Sequence, residues 1–149
     1  MTAMNIKQLK PNKSGPYKQG YYRCMNPDKY KGKDATDKTI IYRSSLEFRF
    51  CKLCDMSSKV LAWSSETLPI AYELDGVMHT YWPDFLFKTA DSTYVVEVKP
   101  WHETQCPSRS ASNYAKETYR KNVAKWNATI AYCKQQNIKF KIITERFFK

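Results

Sequence analysis

Residues 79–100 read His79-Thr80-Tyr81-Trp82-Pro83-Asp84-Phe85-Leu86-Phe87-Lys88, a polar turn around Ala90-Asp91-Ser92, and then Thr93-Tyr94-Val95-Val96-Glu97-Val98-Lys99-Pro100. Aromatic and β-branched residues dominate both runs, which predicts two strands, His79 to Lys88 and Thr93 to Lys99, joined by a short turn. Side chains alternate faces along a strand, so Glu97 and Lys99 point one way and Val96 and Val98 point the other, into a core. Paired as a hairpin, the two strands set Asp84 across from Glu97. Facing carboxylates repel unless a cation lies between them. Two close oxygens beside a phosphate suit Mg²⁺, which takes one or two carboxylates and fills its shell with water and substrate oxygens. On spacing alone, a surface Glu–Lys pair next to an unrelated Asp fits these residues slightly better, because Glu-x-Lys on a strand is common.

Outward from this hairpin, the chain reads as one α/β unit. Upstream, Leu46, Phe50, Leu53 and Cys54 recur at i, i+4, i+7 and i+8, the apolar face of a helix. Ser44-x-x-Glu47 stands at its start as a capping box. Val60 to Trp63 and Leu68 to Leu74 read as short strands, and Asp75-Gly76 as a hairpin turn. Downstream, a polar loop with Pro107 leads to a long helix from about Ser112 to Gln136. Its buried stripe is read as Tyr119, Val123, Trp126, Ile130 and Cys133. Ile138 to Thr144 closes the chain as a strand. The expected architecture is a helix, a three-stranded meander, a helix and a strand around a mixed sheet.

Charge is distributed in blocks. The 149 residues carry a net charge of +11. Residues 1–33 hold eight Lys/Arg against one Asp, residues 114–149 nine against two, and residues 34–113 eight against eleven acidic groups. Basic flanks around an acidic centre suit a polyanion-binding protein that keeps carboxylates for chemistry. Residues 1–33, punctuated by Pro11, Gly15, Pro16, Gly20, Pro27 and Gly32, read as an irregular basic arm, and 34–149 as a single domain. No apolar run nears the roughly 20 residues that span a bilayer, and the lysines before Gly20 have no apolar stretch behind them, so neither a membrane span nor a secretory leader is expected. Five cysteines without such a leader are expected as thiols. Cys51 and Cys54 form a CxxC, but without a second close pair they read as core residues of the first helix rather than zinc ligands.

Pro83-Asp84 followed by Glu97-Val98-Lys99 resembles the signature of the PD-(D/E)XK nucleases, which also place a Glu on a preceding helix, where Glu47 stands. The likeness narrows further. Ile41-Tyr42-Arg43-Ser44-Ser45-Leu46-Glu47-Phe48-Arg49-Phe50, Tyr81-Trp82-Pro83-Asp84-Phe85, Glu97-Val98-Lys99-Pro100, Asn122-x-x-Lys125-Trp126 and Phe140-Lys141-Ile142-Ile143-Thr144-Glu145 together resemble the head-completion nucleases of contractile-tailed phages. The similarity runs from about Asn26 to the C-terminus.

That resemblance implies a restriction-endonuclease-like fold and metal-dependent hydrolysis of DNA phosphodiesters. Asp84 and Glu97 would bind Mg²⁺ (with Mn²⁺ able to substitute), Glu47 would support the metal, and Lys99 would handle the attacking water. Apart from the resemblance, Lys121 and Lys125, one helical turn apart with Asn122 beside them on the long helix, read as DNA phosphate contacts or as donors projected towards the active site, and a solvated helix face explains them at least as well. The resemblance also implies partners among phage head or neck proteins, action before tail joining, and a place in the host cytoplasm during assembly or in the virion. Two rivals stay open: a resolvase-like endonuclease for branched DNA, and a non-catalytic DNA-binding head or neck component.

Overall fold

A computed structural model describes residues 19–32 and 39–148. Ten regular elements and four-residue or shorter 3₁₀ turns make it up. Strand β1 (Gly20–Arg23) pairs antiparallel with β2 (Thr39–Tyr42), with Tyr22 against Ile40. Helix α1 (Ser45–Met56) follows, then β3 (Ala62–Ser65), β4 (Ile70–Leu74), β5 (Val77–Tyr81), β6 (Phe85–Lys88) and β7 (Thr93–Val98). The chain ends with the long helix α2 (Asn113–Gln136) and strand β8 (Lys139–Ile143). The central sheet has the order β3-β6-β7-β8. Its first two pairings are antiparallel, and β7 and β8 run parallel with α2 as the crossover between them. This is the mixed α/β sheet of a restriction-endonuclease-like fold.

Each face of the sheet has its own cover. Tyr94, Val96 and Val98 of β7 join Phe50, Cys51 and Cys54 of α1, with Trp63, Phe85 and Ile143, in the main core. Val95 and Glu97 alternate to the other face, where α2 crosses. Ala124, Ala128 and Tyr132 of α2 also pack on Ile70, Tyr72 and Tyr81 of the β4–β5 hairpin. Arg120 fastens the same helix to the hairpin turn, its guanidinium donating to both Asp75 carboxylate oxygens at 2.8 Å. That turn is Asp75-Gly76, both at positive φ (52° and 77°), the geometry a two-residue hairpin requires. No described helix is long and apolar enough to cross a membrane.

Three sequence expectations are corrected here. The run His79 to Lys88 is not one strand: it breaks at Trp82-Pro83-Asp84 into β5 and β6, which belong to different sheets. Pro83 lacks an N–H for the ladder and fixes φ, so the chain turns there and the three-stranded meander divides. The buried stripe of α2 is also offset, to Asn122, Trp126, Thr129 and Cys133, while Ile130 is 45% exposed. The helix is covered on a second flank by the β4–β5 hairpin, which shifts the interior-facing stripe. Lastly, the irregular arm does not extend to residue 33. Tyr22 and Tyr30 are core residues, and the buried Asp55 carboxylate accepts from the Tyr22 hydroxyl (2.5 Å) and from the Met25 and Asn26 N–H groups (2.6 and 3.0 Å). A buried carboxylate satisfied three times over holds residues 22–26 on the end of α1. The rest of the expected arm, residues 1–18 and 33, lies outside the described residues.

Candidate active site

The end of β7 determines the site. Glu97 is only 5% exposed although it carries a carboxylate, because two donors come to it from separate elements. The Tyr81 hydroxyl, at the end of β5, donates to Glu97 Oε2 at 2.6 Å, and Trp126 Nε1, from the middle of α2, donates to the same oxygen at 3.4 Å. Tyr81 can arrive there because Pro83 ends the strand that carries it.

Asp84 leads into β6 from the register Phe85↔Val96, so the next pair along is Asp84 with Glu97, as the sequence spacing suggests. Its Oδ2 accepts from the Val98 N–H at 2.7 Å, and its two neighbours in charge are Glu97 and Glu47. Burial, and then the Glu97 charge, push the Asp84 carboxyl well above the usual carboxylate range. Two carboxyl groups in contact, one with a strongly disfavoured charge, form a site that a cation would relieve.

Glu47 sits in the first turn of α1. Its N–H donates to Ser44 Oγ at 3.1 Å, the N-cap bond of the motif read from the sequence. Its carboxyl nevertheless titrates at about 7, raised by burial and then by Glu66. Among the described residues, no three His, Cys, Asp or Glu side chains gather closely enough to hold an ion together. The charge of Glu47, in the first turn of α1, bears on Asp84. Two carboxylates suffice for Mg²⁺, which prefers to keep several waters, so the donor set fits that ion.

Glu66 was not visible as a site residue in the sequence. It lies just beyond β3 at φ 51°, donates its N–H to the Asp84 carbonyl at 3.1 Å, and meets Arg43 at 3.6 Å. An Arg between two acidic groups tempers their repulsion.

The basic side of the site contains two lysines. Lys99, half-buried, follows β7, and its N–H donates to the Ile143 carbonyl at 3.0 Å. Lys125 of α2 stands over the Tyr81 and Tyr72 rings, 5.5 and 6.0 Å from their centroids. Burial lowers its pKa from the usual lysine value, the attraction of Glu97 opposes this, and the charges of Lys99 and Lys121 add to the lowering. Lys125 is thus part of the carboxylate site, whereas Lys121 is exposed on the helix surface. Asn122, one turn before Lys125, is 6% exposed. His79 is exposed on β5 and stacks on Tyr72, with ring centroids 5.3 Å apart. The Cys51 and Cys54 thiols are fully buried in the main core, and burial pushes both thiols up in pKa.

Comparison with known proteins agrees with this architecture. The family model described as TnsA-like endonuclease N terminal matches residues 57–145, which span β3 to β8 and include Asp84, Glu97, Lys99 and Lys125. A head completion nuclease of Enterobacteria phage T4 is 33% identical over 138 residues, covering 85% of this chain and 90% of that protein. A family match across the whole sheet and a relative aligned over nearly the whole chain lead to one assignment: the chain belongs to the TnsA-like endonuclease family, alongside the phage head completion nuclease.

Proposed function

We propose that this chain is a Mg²⁺-dependent DNA endonuclease of the PD-(D/E)XK type that acts in completing phage heads before tails are joined. The observation that carries the reading is the buried Asp84–Glu97 pair, flanked by Lys99 and Lys125 and set in a chain of net charge +11. The assembly role rests on the name of the phage T4 relative.

When bound, the metal supplies Lewis-acid polarisation of the scissile phosphate and a water of lowered pKa. Asp84 and Glu97 would hold it. The Tyr81 hydroxyl and Trp126 Nε1 keep Glu97 from rotating away, because both bind the same oxygen and leave the other free. Lys99 is placed to orient the attacking water or neutralise charge that builds on the phosphate oxygens. Lys125, a second cation beside the same carboxylates, steadies that charge too. Glu47, in the first turn of α1, would support the metal from that helix.

The test is direct. Purified protein is incubated with linear, nicked, branched and single-stranded DNA in Mg²⁺, Mn²⁺ or EDTA. Cleavage is expected with either metal and none in EDTA. Asp84→Ala and Glu97→Ala should each lose cleavage by roughly a hundredfold or more while keeping the melting profile of a folded domain. An Asp84→Ala protein that cuts at close to the original rate would sink the reading. Heads assembled with Glu97→Ala protein should fail to join tails if cleavage is what the assembly step needs.

A further inference from the structure

A cleft of about 360 Å³ opens beside the carboxylate site, between the 3₁₀ turn Trp101–Thr104 with its following loop and the first turns of α2. The turn begins two residues after Lys99, so one wall continues directly from the catalytic strand. The other wall presents Tyr114, Thr118 and Tyr119, and Asn122 lies at the inner end.

Two features of this cleft call for a ligand. Asn122 lines the cleft, no described residue hydrogen-bonds its amide, and the amide is not sealed from solvent, so it is open to an occupant of the cleft. Tyr114 is 81% exposed, a large ring held in water at the lip of the cleft. Between them, Tyr119 packs edge-on against Trp126, with centroids 6.4 Å apart, and Trp126 is the residue that donates to Glu97. Cleft and carboxylates therefore share a wall.

Exposed and half-buried tyrosine rings and an asparagine amide open to the cleft match the chemistry of a nucleotide base. Bases stack on tyrosine whatever their identity, and an asparagine amide offers one donor and one acceptor to a base edge. The volume lies at the small end of the range for ligand pockets. We propose that this cleft receives one unpaired base of the strand being cut, next to the phosphate held over Asp84 and Glu97. A base stacked within a duplex stays out of reach, so the strand is unpaired at that position when it is cleaved. This deepens the proposed function and rests on it for the position of the phosphate.

The experiment separates the two claims. Single-stranded oligonucleotides carrying 2-aminopurine at successive positions are titrated with protein in EDTA, where no cleavage occurs, and fluorescence quenching is read. Quenching is expected to peak at one position and to be lost in Tyr114→Ala, whose exposed ring makes the substitution safe for folding. In Mg²⁺, an abasic site at that position should lower kcat/KM by about five- to a hundredfold, the range of one base–aromatic stack. Tyr114→Ala should be nearly insensitive to the same abasic site. Asn122→Ala should weaken quenching in a protein that circular dichroism shows to be folded. Quenching equal at every position, or an abasic site without effect in a protein that still cleaves, overturns the cleft and leaves the nuclease reading standing. Position-specific quenching in a protein that cleaves nothing supports the cleft and removes the nuclease reading instead.

Discussion

Replacing Glu47 by Gln tests how the acidic site is paid for in stability. The folded protein holds this carboxyl at about 7, against 4.5 for an ordinary glutamate. A carboxylate whose pKa is raised on folding favours the folded state only in its neutral form. Its contribution is therefore fully present below about 4.5, is lost as pH rises through about 7, and is absent above that. A shift of about 2.5 units corresponds to about 3 kcal/mol of penalty at roughly pH 8. Glu47 is half-buried and shares its repulsion with Glu66, so solvent screening reduces this to about 1–2 kcal/mol.

Gln removes the charge and keeps the cap, since Ser44 Oγ accepts from the backbone N–H of residue 47 whichever of the two side chains stands there. For a domain of this size, 1 kcal/mol moves the melting temperature by about 4 °C. The metal-free Glu47→Gln protein should then melt about 4–8 °C above the parent near pH 8, with the gap closing as pH falls to about 4.5. Mg²⁺ should narrow the gap at high pH by stabilising the parent more. The measurement is a thermal melt followed by circular dichroism across that pH range, with and without Mg²⁺, beside a cleavage assay. A gap that stays constant with pH, or a variant less stable near pH 8, would refute the electrostatic account. Full cleavage by a stabilised Glu47→Gln protein would reduce Glu47 to a helix cap.

Two further outcomes follow from the basic side of the site and from the charge blocks. Lys125→Met should lower kcat by roughly a hundredfold with a small change in DNA affinity in EDTA, and Lys125→Arg should recover part of it; single-turnover kinetics would show this, and an unaltered kcat would return Lys125 to a surface role. Deleting residues 1–18 removes Lys7, Lys10, Lys13 and Lys18, and should make the slope of log affinity against log salt shallower by about 3 to 4 units if each meets a phosphate. Binding isotherms over a salt series would reveal it, and an unchanged slope would mean that this segment docks elsewhere.

The parts of the site that were legible in the sequence are those set by strand geometry. Period-two alternation places Glu97 opposite Val96 and Val98, and a short turn brings Asp84 to the same level. Ser44 and Glu47 were legible as a cap because that motif is local. The unread parts depend on how distant elements meet. Nothing in the pattern of α2 says that Trp126 turns its Nε1 to Glu97, because an apolar period reports only that a residue is interior. The offset of that period left Lys125 and Asn122 undecided between surface and site. Pro83 did carry a readable signal, a proline within an aromatic run that disfavours a continuous strand, and the break it makes delivers the Tyr81 hydroxyl to Glu97. The N-terminal segment misled for the opposite reason. Its prolines and glycines set local backbone shape, whereas Tyr22 and Tyr30 are drawn into the core and Asp55, more than 25 residues away, supplies the anchoring carboxylate. Glu97 is stabilised in the same way as Asp55, by donors from remote segments. The difference is that Asp55 is saturated, while Glu97 keeps one oxygen uncommitted and faces a second carboxylate. On the proposed metal-dependent function, that unspent acceptor capacity is what would separate a structural acid from one that holds a cation.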